Sequence, residues 1–308
     1  MALNLHHLRL FAAVVNHGGF TKAAESLRLS QPAISKSLNE LERQLNLILI
    51  DRGGRGLRLT HAGHTLYARA RELFGVEWIA EQELREIRGL KRGVLRIGAS
   101  TTIATYMLPP FLGRFHLRHP GIRIRATSAN TRAVLRLLLE SRVDVALVEG
   151  PVSDPRVDVR PWRDDELVVI CHPEHQLLSK TIVDVAMLVQ ELFIVREPGS
   201  GTRVVSARAL ALHGARLTNT MRVGGTEAIK QAVAAGLGLA IVSRAAAADQ
   251  LTLGKIAVLP VKGLSIRRTL TQIKLRGRAT TAAARELEQL LEAGGVDDNS
   301  GDASGTPQ

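Results

Sequence analysis

The 308-residue chain has one cysteine, two tryptophans, two tyrosines and six phenylalanines. A single thiol, Cys171, excludes an internal disulfide, and within the apolar run LVVIC it reads as a buried, inert group. With aromatics at 3%, the core has to be built from aliphatic side chains. No apolar run reaches the roughly 18 residues that a membrane-spanning helix needs. The start, MALNLHHLRLFAAVVNHGG, lacks the charged, apolar and small-residue succession of a secretory signal and reads as an amphipathic helix. These absences lead us to expect a cytoplasmic protein of two or three domains with no membrane association.

Patterns for metals and catalysis are equally thin. His116 and His119 in HLRH, and His172 and His175 in CHPEH, have loose metal-like spacing without a partner ligand at a recognisable offset. The GSGT run at 199–202 lacks the lysine of a phosphate-binding loop and the spacing of a dinucleotide fingerprint. No Ser–His–Asp or Cys–His arrangement can be argued. We therefore expect no metal, no cofactor and no enzymatic activity.

Positive charge is what the chain has in excess, +12 overall, and this implies polyanionic partners. Residues 1–60 hold eight Lys/Arg against four acids, a balance of +4. Residues 61–90 hold four Arg against five Glu, which leaves +9 for residues 91–308. A basic C-terminal portion fits an anionic ligand, an extra DNA contact or a general richness in arginine.

The most specific signal is FTKAAESLRLSQPAISKSLNELERQL at 20–45. It reads as two short helices and a tight turn, with Ala23, Ala24 and Leu27 facing inward on the first. Ser30 suits the N-cap of the second, and Pro32 falls in its first turn, where a missing N–H costs nothing. Ile34, Leu38, Leu41 and Leu45 then form one buried stripe of a 3.6-residue period. The opposite face carries Gln31, Ser35, Lys36 and Asn39, hydrogen-bonding groups suited to base edges and phosphates. Asn46 can take the left-handed conformation that ends a helix. LILIDRGGRGLRLT follows as an apolar strand, a Gly-rich loop with Arg52, Arg55 and Arg58, and a return strand: a basic wing beside a recognition helix.

With these residues the chain resembles the LysR-type transcriptional regulators, from LHHLRLFAAVVNHGGFTKAAESLRLSQPAISKSLNELERQL through LRLTHAG and into the C-terminal region. The resemblance implies double-stranded DNA as partner. It assigns base reading to Gln31, Pro32, Ser35 and Lys36, and backbone or minor-groove contact to Arg52 and Arg55. Asn46 stands where the family has glycine and Ile50 where it has phenylalanine, departures that bear on wing packing.

Leu8, Phe11, Val14 and Val15 mark a helix behind this motif. Thr60 caps a long helix to about Leu90, with a seam of Leu66, Ala70, Leu73, Val76, Ala80, Leu84 and Ile87. So long a helix has little of its own chain to pack on, which implies a homodimer; LysR relatives dimerise through the matching helix and assemble further to tetramers. RNA polymerase is a further partner expected of such a regulator.

After LKRG, strands and helices alternate, predicting an α/β fold with a mainly parallel sheet. ELVVICHP opens a second set of elements, and the chain returns to the first with IRRTLTQIKL and AAARELEQLLE. Two α/β lobes crossed twice resemble the periplasmic-binding-protein fold of the LysR effector domain. The expected division is a winged helix-turn-helix at 1–60, a linker helix at 61–90, an effector domain at 91–294 and a disordered tail at 295–308. Lobe I covers 91–162 and 266–294, and lobe II covers 163–265.

Ligands in such folds bind beyond the carboxyl ends of strands, at helix N-termini. Three loops have that placement: Ser100-Thr101-Thr102, Asn130-Thr131, and Glu197 to Thr202. N-capping alone would explain any one of them; three together favour a ligand site. IGASTTIATYMLP, SANT, DVALVEGP, REPGSGTR and GTEAIKQAVAAGLGLAIVS resemble the effector domains of LysR regulators of carbon-fixation genes and a sulfite-responsive branch. That resemblance points to Ser100, Thr101, Asn130, Glu149, Ser200, Thr202 and Glu227. Glu149 and Glu227 are open either to ligand hydroxyls and amines or to ion pairs with Arg196 or Arg203. The effector class is a small anion, a phosphorylated metabolite or an oxyanion. Two other functions fit less well, an enzyme fused to a DNA-binding domain and an architectural DNA-binding protein. Turnover of a bound metabolite would mark the first, and uniform coating of DNA the second.

Overall fold

The computed structural model describes residues 3–51, 57–86 and 93–296. It divides into two compact units between Glu81 and Gln82.

The first unit begins with α1 (Leu5–His17), α2 (Phe20–Leu27) and α3 (Gln31–Leu45). Asn4 caps α1 by accepting from the amides of His6 and His7. Leu8, Phe11 and Val14 pack with Ala23, Ala24, Ile34, Leu38 and Leu41 in one apolar cluster. Leu27, expected on the inward face, is 38% exposed, because α2 ends there and Arg28 takes the left-handed turn. The expected strand LILI is shorter than its apolar run. Leu47 and Ile48 are exposed, and among the described residues Ile50–Asp51 (β1) pairs with Arg58–Leu59 (β2).

Thr60 accepts from the Gly63 amide and starts α4 (His61–Glu86). Contrary to expectation, the front of α4 is packed on its own chain. Ala62, Leu66, Tyr67, Ala70 and Phe74 join the α1–α3 cluster, and Arg9 reaches Glu77 at 2.6 Å. Leu73, Val76, Ala80 and Leu84 of the expected seam are exposed, while Ile87 lies outside the described residues.

The second unit is a pair of α/β lobes. Lobe I holds β3 (Gly93–Ser100), a π-helical turn at Ile103–Met107, α5 (Pro109–Arg118), β4 (Ile122–Ala129), α6 (Thr131–Leu139) and β5 (Val145–Val148). β3 pairs in parallel with both β4 and β5. β6 (Val157–Cys171) then leaves the lobe, and it starts well before the ELVVIC segment expected to open lobe II. Exposed Asp158, Arg160 and Asp164, with Pro161 between them, hide this half of the strand from a hydrophobicity reading.

Lobe II contains a 3₁₀ turn at Gln176–Ser179, α7 (Val185–Leu188), β7 (Phe193–Val195), α8 (Gly201–Leu212), β8 (Thr220–Arg222), α9 (Thr226–Ala234), β9 (Ala240–Ser243), α10 (Arg244–Thr252) and β10 (Ala257–Val258). The chain returns along β11 (Ile266–Leu275) and closes lobe I with α11 (Ala282–Val296). The strand order is β10-β6-β11-β5-β3-β4, with β9 also on β6. The sheet is therefore mixed rather than mainly parallel: β6 pairs antiparallel with β9, β10 and β11, and β11 pairs antiparallel with β5. A strand that returns between lobes has to run against its neighbours.

Each lobe has its own aliphatic core. One centres on Leu95, Ile97, Phe115 and Leu287, the other on Leu167, Leu188, Phe193 and Leu239. Cys171 is buried in the second, where burial raises its thiol to about 11. No helix among the described residues is long and apolar enough to cross a membrane. The expected tail from 295 begins inside the last turn of α11, and residues 297–308 lie outside the described residues.

Candidate functional site

In the first unit, Ser30 accepts from the Ala33 amide at 3.4 Å and Pro32 occupies the first turn of α3. With Ile34, Leu38 and Leu41 buried, the helix turns Gln31, Pro32, Lys36 and Asn39 to the surface, with Ser35 half-buried among them. These five residues, with Glu40 and Arg43, line one shallow concave surface. Asn46 ends α3 in the left-handed region at φ 52°. Glu42 accepts from the Leu49 and Ile50 amides at 2.7 and 3.2 Å, which ties the wing to the recognition helix. Ile50 is 2% exposed and fills the wing's place in the core. Arg52 and Arg55 lie outside the described residues.

In the second unit the three predicted loops converge between the lobes. From lobe I, Thr101 accepts a hydrogen bond from Arg196 (3.2 Å), and Asn130 donates to Glu197 (3.3 Å). The Arg132 amide donates to the Gly199 carbonyl at 3.2 Å. Gly199 is left-handed at φ 97°, and a Cβ there would stand 3.1 Å from both Arg132 and Asn130. Gly150 and Gly201 approach still more closely; a Cβ on Gly201 would lie 2.5 Å from the Gly150 amide nitrogen.

Arg196 dominates the electrostatics of this cleft. It is buried, donates to Thr226 (2.9 Å) and Thr101, and pairs with its neighbour Glu197 at 2.8 Å. Burial raises the Glu197 carboxyl, but the hydrogen bonds and charge of Arg196 outweigh it and hold the group at about 2. Asn130 also caps α6 by accepting from Ala133, and Ser200 caps α8 by accepting from Arg203 at 3.4 Å, so both have the structural role as well.

Glu149 and Glu227, read as open to ligand hydroxyls and amines or to ion pairs with Arg196 or Arg203, pair instead with Arg268 and Lys230. Glu149 is buried against Arg268 (3.0 Å), accepts from the Thr202 hydroxyl (2.7 Å) and accepts from the Thr102 amide (2.8 Å). Burial raises its carboxyl, yet Arg268 and these donors hold it below the usual range. Ser100 is 1% exposed in the same enclosure. Arg268 turns its other nitrogens to Asp165 (2.6 Å), which accepts from Ser243. Glu227 accepts from Tyr106 across the cleft at 2.7 Å and pairs with Lys230 at 2.9 Å. Lys230 also sits 4.8 Å from the Tyr106 ring centroid. Lys230 first, then Tyr106, keep the Glu227 carboxyl low.

The sequence reading named Arg196 only as a salt-bridge partner and missed Arg268, Asp165, Lys230 and Tyr106. Three of the histidines with metal-like spacing have partners in the structure, and the described residues hold no group of three or more His, Cys, Asp or Glu placed to bind a metal ion. His172 and His175 accept backbone amides at 3.2 Å, and His119 lies 3.5 Å from Glu286.

Comparison with known proteins gives a consistent result. Residues 5–64 match the bacterial regulatory helix-turn-helix protein, lysR family, and residues 88–295 match the LysR substrate binding domain. The RuBisCO operon transcriptional regulator of Allochromatium vinosum is 34% identical over 291 residues, covering 94% of this chain and 96% of that protein. A full-length OxyR variant from Pseudomonas aeruginosa superposes with a TM-score of 0.71 at 23% identity, covering 95% of both chains, which speaks to fold. The CcmR regulatory domain of Synechocystis PCC6803, solved in complex with 2-PG, superposes with a TM-score of 0.61 at 27% identity, covering 67% of this chain and 99% of that one.

Proposed function

The chain belongs to the LysR family of bacterial helix-turn-helix transcriptional regulators, and on that footing we propose that it switches transcription when a small anion enters the cleft between its effector lobes. The observation that carries the ligand class is Arg196, a buried cation in the cleft wall. Glu197 occupies it in the structure, and a phosphate or carboxylate would take over those hydrogen bonds. Thr101, Thr226 and Asn130 supply further polar contacts, and the N-termini of α6 and α8 favour negative charge. Thr102, Glu149, Ser200 and Thr202 act behind this surface: they fix the loops rather than touch ligand. The 2-PG of the CcmR complex, 2-phosphoglycolate, has the chemistry this site fits.

On the DNA side, Gln31 and Ser35 read base edges, Pro32 packs against them, and Lys36, Arg52 and Arg55 hold phosphate or groove. The working division is 1–60 for DNA, 61–90 for dimerisation and 91–294 for the effector. Exposed Leu73, Val76 and Leu84 support a homodimer, on which tetramer assembly and contact with RNA polymerase build. Two-fold symmetry implies inverted-repeat half-sites about one helical turn or a multiple apart. Because a ligand shifts an equilibrium only by its preference for one state, coupling of roughly 1–3 kcal/mol is expected. Footprinting of the full chain on its operator with and without 2-phosphoglycolate tests this. A changed footprint length supports the switch; bound ligand with an unchanged footprint and unchanged transcription contradicts it.

A further inference from the structure

A cavity of about 440 Å³ lies inside lobe II and is lined by lobe II residues alone. One wall is a stripe of α8 running through Thr202, Ser206 and Leu210, and the other is formed by Phe193 and Val195 of β7 and Ile241 of β9. The reason for the gap is legible in the helix. Ser206, Ala207 and Ala211 are too short to fill the space to the sheet, so helix and sheet stand apart. Packed interiors hold few voids larger than a water molecule, whereas ligand pockets span roughly 300–1,000 Å³.

Its chemistry is amphipathic. Phe193, Leu210 and Ile241 give an apolar floor. Ser206 is 8% exposed, and its hydroxyl has no hydrogen-bond partner among the described residues. Arg196, Arg203 and Arg216 are the charged residues among those lining it, and no Asp or Glu stands with them. Arg216 is exposed, while half-buried Arg203 donates to the Arg196 carbonyl at 3.1 Å.

We propose that this cavity is a second ligand site that takes an organic anion with an apolar body, an acyl or aryl carboxylate. The carboxylate meets Arg216 and Arg203, the apolar body lies on Phe193, Leu210 and Ile241, and an oxygen of the ligand satisfies Ser206. The interlobe cleft, walled by Arg196, Thr101 and Asn130, suits a smaller and more hydrophilic anion. Arg196 and Thr202 border the cavity and also bond across the lobes, so occupancy here is felt at the N-terminus of α8.

The test is calorimetric titration of the full-length chain with sodium octanoate, with octanol and sodium acetate standing for the apolar and the carboxylate halves of such a ligand. Wild type should bind octanoate saturably and more tightly than either half. Arg216→Glu, an exposed change that leaves the melting curve in place, should weaken octanoate by about tenfold or more, the loss of a charge-assisted contact. Ser206→Leu should fill the cavity and abolish binding, while Tyr106→Phe, which removes a hydrogen bond to Glu227 across the interlobe cleft and touches none of the lining residues, should leave it unchanged. No saturable octanoate binding overturns the proposal, as does octanol binding as tightly as octanoate. Undiminished binding by Arg216→Glu, or loss in Tyr106→Phe, would place the octanoate elsewhere and overturn it equally.

Discussion

Arg268 on β11 and Glu149 at the end of β5 meet at 3.0 Å with both side chains almost wholly enclosed. The same guanidinium reaches Asp165 on β6 and donates to the Thr202 hydroxyl on α8. One cation thus ties the first lobe, a crossing strand and the second lobe's helix together. Removing it strands two buried carboxylates, so Arg268→Ala should destabilise the second unit by roughly 3–5 kcal/mol, measured by denaturant unfolding. An unchanged midpoint would show that water replaces the guanidinium freely.

The pH dependence has a defined sign. The Glu149 carboxyl is held below its ordinary value of 4.5, chiefly by Arg268 working against burial. Its contribution to stability is therefore complete above that ordinary value and is lost as pH falls through the lower folded value. Glu149→Gln should flatten the acid limb of a melting-temperature profile relative to wild type. Parallel acid limbs in the two proteins would assign the acid sensitivity to other carboxylates.

Gly201 leaves no room for a side chain beside Gly150. An added Cβ would meet backbone at 2.5 to 2.8 Å, and backbone cannot step aside as a flexible side chain can. Gly201→Ala should push the lobes apart, lower the melting temperature and blunt any ligand response. A variant with wild-type melting and ligand affinity would show that the lobes close without this contact.

On α3, Gln31→Ala should cost about 1–3 kcal/mol on the specific operator and little on random DNA, whereas Lys36→Ala should weaken both and reduce the salt slope by about one. Gel-shift titrations over a salt series separate the two. Equal losses on both DNAs for Gln31→Ala would remove it from base reading.

Leu73 and Leu84 are large apolar groups left open on α4, 39% and 65% exposed. Replacing both with Asp should produce monomers with poor operator affinity, read by sedimentation. A stable wild-type monomer at micromolar concentration would contradict dimerisation through this helix.

Much of this was legible in the sequence because local rules agreed with the final packing. Ser30, Pro32 and Asn46 bracket α3 as their chemistry demands, and Ile34, Leu38 and Leu41 keep a helical period. The buried charges were legible in principle. Arg268 shares the inward parity of Ile266 and Leu270, and Lys230 shares the α9 stripe of Thr226, Ile229 and Val233. A charge on an apolar stripe signals a buried partner, but the partner's identity is a matter of tertiary structure. Glu149 and Asp165 lie 119 and 103 residues from Arg268, so no spacing rule could have paired them. The first half of β6 escaped for the opposite reason, since Pro161 and the charges of Arg160, Arg163 and Asp164 break the alternation that Val157 and Val159 begin.

The central claim is that Arg196 and the facing lobe I loop hold an anion, and calorimetry with 2-phosphoglycolate on the full chain tests it most directly. Wild type should bind with one site per chain. Thr101→Val, which removes a hydroxyl at nearly constant volume, should weaken binding, and Arg196→Met should abolish it, with operator affinity near normal in both. Ligand binding to Arg196→Met as tightly as to wild type would contradict the account and place the effector elsewhere.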